Sequence, residues 1–164
     1  MKIVLLGITG SGKSTIAQKL ADRFGIDVVE ADDEVIRLNN DLWPKDEKII
    51  DKYFQVTSDK VFTMDNVLYV ISWLSKKRIK QFASNGFKII ELHADIKELL
   101  KRKIQRDNPT KNEISRFKEN SNGYYEVVFD DEIKPLISLS LDTTTINPED
   151  VFKKITKALN QNGH

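Results

Sequence analysis

Residues 7–14 read Gly-Ile-Thr-Gly-Ser-Gly-Lys-Ser and fill every defined position of the pattern G-x-x-x-x-G-K-[ST]. The flanks agree with the motif. Ile3 to Leu6 is an unbroken apolar run, as expected of a strand covered on both faces. Ile16, Ala17, Leu20, Ala21 and Phe24 then recur at helical spacing, and Gly25 closes that helix. A buried strand, a glycine-rich turn and a helix make a phosphate nest. The glycines let successive N–H groups converge on phosphate oxygens, and the helix N-terminus adds partial positive charge. Gly7, Thr9, Gly10, Ser11 and Gly12 are thus candidate nucleotide-binding residues. Lys13 is the expected point charge on the outer phosphates, and Ser14 the expected Mg²⁺ ligand. Thr15 completes the set, although its side chain should face elsewhere.

The rest of the chain repeats the alternation. Asp27–Glu30, Val67–Ile71, Phe87–Leu92 and Ile137–Leu141 read as further strands. Helices are expected over about 32–38, from Pro44 to about Phe54, from Ser72 as cap to about 84, and from Asp95 to about Arg106. Residues 55–65 are polar and carry no clear pattern. A polar helix with little apolar face is expected over 111–122, where it would act as a lid over about 107–122. Asn147-Pro148-Glu149 opens a last helix with Val151, Phe152, Ile155, Ala158 and Leu159 on one face. Strands alternating with helices imply right-handed crossovers and a parallel sheet covered on both sides, an α/β three-layer αβα domain. With 164 residues the whole chain, 1–164, is expected to be one domain.

Composition removes several alternatives. The 26 basic and 25 acidic residues nearly cancel, which argues weakly against nucleic acid as partner. Cysteine is absent, which excludes thiolate catalysis and cysteine zinc sites; two histidines, His93 and His164, are too few for a histidine-rich metal site. No stretch approaches the roughly 20 apolar residues that span a bilayer, and the apolar N-terminal run is too short for a signal peptide. No membrane partner and a cytoplasmic location are expected.

Two further groups carry chemistry. Asp32 and Asp33 follow the second strand at its carboxyl end, on the loop's side of the sheet. Either can accept a proton from an acceptor hydroxyl or hold Mg²⁺, and capping the next helix is the competing duty. No acidic residue ends the third strand, where Val-Ile-Ser-Trp stands, so the metal role falls on Ser14 with Asp33 or Asp32. Arg102 and Arg106 share a helix face, and their forks suit phosphate. Arg78, Arg37 and Arg116 are weaker basic candidates. Trp43, Trp73, Tyr124 and Tyr125 read first as core and second as walls of an acceptor pocket, and His93 as a structural histidine.

The ordered set resembles the P-loop small-molecule and nucleoside monophosphate kinases: shikimate, gluconate, adenylylsulfate and adenylate kinases. It consists of the loop at 7–14, Asp32-Asp33, the 72–78 helix start, Leu99 to Arg106, and Asp142 to Pro148. The resemblance implies a five-stranded parallel sheet of order 2-3-1-4-5 and ATP with Mg²⁺. It implies that Asp33 or Asp32 contacts acceptor and metal. Arg102 and Arg106 would stand at the base of the lid against adenine or phosphate, with Lys13, Asp32, Asp33 and Arg102 as the catalytic set. The expected activity is ATP-dependent transfer of the γ-phosphoryl group to a small-molecule hydroxyl. Phosphorylation of a nucleoside monophosphate and nucleotide binding without catalysis are the alternatives. The glycine-rich run that shikimate kinases carry after the third strand is absent.

Overall fold

A computed structural model describes residues 1–161, so His164 lies outside the described residues. Five strands alternate with seven helices: β1 (Lys2–Gly7), α1 (Lys13–Phe24), β2 (Asp27–Glu30), α2 (Ala31–Leu38), α3 (Glu47–Phe62), β3 (Val67–Ile71), α4 (Lys76–Ser84), β4 (Lys88–His93), α5 (Ile96–Asp107), α6 (Lys111–Val128), β5 (Ile137–Asp142) and α7 (Pro148–Gln161). All four pairings are parallel, and the order is β2-β3-β1-β4-β5. That is the αβα sheet expected from the alternation and the resemblance.

The central strands are buried on both faces, and their alternation splits the core. Val4, Leu6, Tyr69 and Ile71 join Phe82, Phe117 and Tyr124 on one side. Ile3, Leu5, Val70 and Ile90 join Ile16, Leu20, Val151 and Ile155 of α1 and α7 on the other. The outer strands β2 and β5 are only part-buried. Glu91 of β4 is wholly buried but well supplied with donors. It receives the Tyr124 and Ser140 hydroxyls at 2.6 Å each, and His93 Nδ1 lies 2.8 Å from it. His93 is thus held structurally.

Three expectations need correcting. The helix placed from Pro44 to about Phe54 is α3, capped by the Asp46 carboxylate and continuing to Phe62 through residues left without a pattern. Ser72 caps nothing; Ser75 caps α4, and Ser72 belongs to a loop over the site. The polar segment 111–122 is the first part of a longer α6, which buries Phe117, Ser121, Tyr124 and Val128. A Thr110–Glu113 capping box starts it. The expected lid is therefore docked on the core from Phe117 onward.

Candidate functional site

Gly7 ends β1 where the chain must turn closely past β4. A Cβ there would lie 2.5 Å from the Leu92 carbonyl oxygen and 2.6 Å from the Ser11 hydroxyl, so no side chain fits. Gly10 and Gly12 take positive φ of 89° and 92°, which glycine adopts without steric cost. This loop delivers the N-terminus of α1 to the carboxyl edge of the sheet.

Above it opens a cavity of about 450 Å³ lined by Thr9, Gly10, Gly12, Lys13, Ser14 and Thr15. Glu30, Asp32, Ser72, Arg102 and Arg106 complete its wall. The structure thus brings together most of the residues expected from the sequence. Gly7 and Ser11 lie beneath the loop and shape it without lining the cavity. Asp33, equal or preferred to Asp32 in the sequence reading, lines neither this cavity nor its neighbour. Asp32 lines both.

Lys13 is 9% exposed, and its ammonium donates to the Ile8 carbonyl oxygen at 3.3 Å. Burial lowers its pKa to about 8, against the opposing pull of Asp32 and Glu30 and with help from the Arg106 charge. Burial also raises the pKa of Asp32 and Glu30, with Lys13 opposing in each case and Asp33 adding to the rise. A raised carboxylate pKa is the direction a general base needs. The Ser14 side chain opposes that rise at Glu30. Ser14, Glu30 and Asp32 therefore set three oxygen donors on one cavity, a set suited to a hard cation such as Mg²⁺. Among the described residues there is no cluster of three or more His, Cys, Asp or Glu that could hold a metal alone. Mg²⁺ commonly takes one or two carboxylates and shares the rest with phosphates and water.

The two arginines separate in role. Arg102 spends its donors on protein: Nε on Glu98 at 3.0 Å, Nη1 on the Gly10 carbonyl at 3.1 Å, Nη2 on the Thr143 carbonyl at 2.8 Å. It ties the phosphate loop to the segment after β5, a bond that Thr143 reinforces through its hydroxyl to the Ser11 carbonyl at 3.3 Å. That is a positioning geometry, held at the wall of the phosphate cavity. Arg106 is 55% exposed, pairs with Asp107 at 2.6 Å, and is the arginine with room to turn toward phosphate. The weaker candidates lie outside both cavities or are neutralised. Arg37 pairs with Glu34 at 2.8 Å, and Arg116 is exposed on α6.

A second cavity of about 600 Å³ adjoins the first and shares Thr9, Asp32 and Ser72 with it. Trp43 and Trp73, read first as core, are 48% and 51% exposed and line it. Tyr124 and Tyr125 do pack inside, as expected: Tyr124 on Glu91, Tyr125 donating to the Ala94 carbonyl. Sequence reasoning missed Glu30 and the place of Ser72 on the wall shared by the two cavities. Glu30 was within reach, since it is the last residue of β2 and strand ends of this kind face the ligand.

The Lys13 environment has a titration consequence. Polyphosphate binding restores the charged ammonium, so binding above pH 8 draws in protons. At pH 8.5, MgATP titrations in buffers of different ionisation enthalpy should show net proton uptake, as a pKa near 8 requires. The uptake should fade by pH 7 and vanish in Lys13→Met; heats in wild type at pH 8.5 that do not depend on the buffer would show Lys13 outside the phosphate contact.

Sequence comparison places residues 3–121 on the profile of a family described as an AAA domain. A shikimate kinase of Enterococcus faecalis is 26% identical over 182 residues, spanning 97% of this chain and 98% of that protein. A shikimate kinase of Caldicellulosiruptor bescii is 30% identical over 115 residues, 61% of this chain and 62% of that one. Among solved structures, a shikimate kinase from Acinetobacter baumannii in complex with shikimate superposes with TM-score 0.78 at 16% identity, over 99% of this chain and 94% of that one. A gluconokinase from Sinorhizobium meliloti gives TM-score 0.73 at 15% identity, over 98% and 91%. These two share the fold.

Proposed function

The chain belongs to the AAA-domain family, a nucleotide-binding P-loop family, and we propose that it transfers the γ-phosphoryl group of ATP to a hydroxyl of a small molecule. The supporting observation is the position of Asp32. It stands on the wall common to the phosphate cavity and the second cavity, where an attacking hydroxyl must meet the γ-phosphorus. The relatives named as shikimate kinases and the gluconokinase neighbour agree with a hydroxyl acceptor.

The loop amides and Lys13 hold the β- and γ-phosphates. Ser14, with Glu30 and Asp32, would hold Mg²⁺, which neutralises phosphate charge when bound. Asp32 accepts the acceptor's hydroxyl proton. The new O–P bond forms as the bond between the γ-phosphorus and the β–γ bridging oxygen breaks, and ADP leaves with both electrons of that bond. Arg106 approaches the transferring group, while Arg102 fixes the loop against the 143–144 backbone. Closure is assigned to the connection and first turns around 107–116, because α6 beyond Phe117 is anchored in the core. The chain functions as a single domain, with the cytoplasm as the compartment that supplies ATP. Among the described residues no helix is long and apolar enough to cross a membrane.

A coupled assay of ADP release against a panel of hydroxyl compounds tests the reading. At least one compound should raise the rate well above background hydrolysis. A rate unchanged by every hydroxyl compound but raised by nucleoside monophosphates would replace the hydroxyl acceptor by a phosphate one.

A further inference from the structure

The second cavity has a charge and shape of its own. Its carboxylates are Asp32 and Asp51, and its one cationic side chain is Arg78. Arg78 already pairs with a carboxylate: Nη1 donates to Asp59 at 3.1 Å and also to the neutral Gln81 at 3.0 Å, and its side chain is only 19% exposed. Asp51, by contrast, is solvent-exposed and forms no ion pair among the described residues. An anionic acceptor entering here would meet two carboxylates and a guanidinium whose charge Asp59 already offsets. Its own negative charge would face a wall of net negative charge.

The apolar part of the wall is aromatic and half-open. Trp43 stands edge-on to Phe54, with ring centroids 6.4 Å apart. Trp73 follows β3 and also borders a third cavity, beside Phe117 and Tyr124. Two half-exposed indoles on one cavity supply aromatic surface of the kind that attracts a cation or the apolar face of a ring.

We infer that the acceptor is an uncharged or cationic hydroxyl compound carrying a ring, its apolar face seated on Trp43 and Trp73, and not a carboxylate such as the shikimate bound to the A. baumannii neighbour. This rests on the proposed phosphotransfer for the word acceptor, but the charge selectivity of the cavity stands apart from turnover.

The chain contains only two tryptophans, and both line this cavity, so indole emission responds to its occupation. The probes are matched pairs: glucosamine against glucuronate, and adenosine against adenosine-5′-carboxylate. In each pair the neutral or cationic member should perturb tryptophan emission at concentrations about tenfold lower than the carboxylate, since like charges oppose entry. Asp51→Asn should shrink that gap, which a purely structural role for Asp51 would leave unchanged. A carboxylate member that binds as well as its partner, or no emission change with any probe, overturns the inference. Ring binding with no acceptor-dependent ADP release keeps the inference and sinks the phosphotransfer reading. A carboxylate that binds best and is phosphorylated does the reverse.

Discussion

Lys13→Met is expected to weaken MgATP binding and turnover together, by roughly 10²–10³-fold in kcat/KM, the scale seen when one preorganised charge donor is lost. Methionine keeps the apolar stem and removes only the charge. In the absence of nucleotide the same variant should be at least as stable as wild type. The reason is linkage. The folded-state pKa of Lys13, about 8, lies below its ordinary 10.5, so the folded state binds fewer protons than the unfolded one. The cost of burying the ammonium, on the order of 3 kcal/mol, is present in full below pH 8. It declines as pH rises from about 8 to 10.5. Removing the charge removes that cost. Thermal unfolding at pH 7, with and without MgATP, reads both halves: wild type should gain stability on adding nucleotide, and Lys13→Met should start no lower and gain little. A variant that is less stable without nucleotide, yet binds MgATP normally, would make Lys13 a packing residue.

Asp32→Asn is expected to lower kcat by about 10²–10⁴-fold, the range attributed to a positioned general base. Asparagine keeps the size and one oxygen but cannot take the proton. Nucleotide affinity should change far less, since Lys13 and the loop amides remain. Asp33→Asn, outside both cavities, should fall by under about tenfold, through loss of its charge near Glu30 and Asp32. Steady-state kinetics on the two variants at saturating MgATP separates them. Equal losses in both, or a larger loss in Asp33→Asn, would move the base to Asp33. If Asp32→Asn raised only the KM for Mg²⁺, the carboxylate would be a metal ligand with no part in proton transfer.

The fold was legible where burial is apolar. β1 to β5 lie within a residue or so of the apolar runs that announce them, and Gly25 closes α1 with φ of 61°. The misread helices share one physical cause. In α3 the buried face includes Thr57 and Ser58 alongside Val61, and in α6 Ser121 stands between Phe117 and Tyr124. Hydroxyl side chains can occupy a core face when a carbonyl of their own helix accepts the proton. Thr57 donates to the Tyr53 carbonyl at 2.8 Å, and Ser121 to the Phe117 carbonyl at 2.6 Å. Each such residue interrupts the apolar stripe that marks an amphipathic helix, so the segment reads as polar.

The site divides in the same way. The phosphate loop is a local motif, complete in eight consecutive residues, and its geometry follows from them. Which of two adjacent aspartates faces the cavity depends on the entry angle of α2, which no local pattern carries. Arg102 was singled out for its spacing with Arg106, but its partners lie far off in sequence, at Gly10 and Thr143. The tryptophans were misjudged because an indole is large enough to be core, and only the tertiary arrangement left them half-exposed beside a second cavity.

The central claim is that the γ-phosphoryl group passes intact to an acceptor hydroxyl. The most direct measurement uses ATP labelled at the γ-phosphorus, with product identified by phosphorus NMR, in the presence of an acceptor found by the emission titration. The label should appear as a phosphomonoester of the acceptor in step with ADP, and Asp32→Asn should slow that signal. Label released only as inorganic phosphate, at a rate indifferent to any acceptor, would contradict the claim and leave a nucleotide-binding domain with slow hydrolysis.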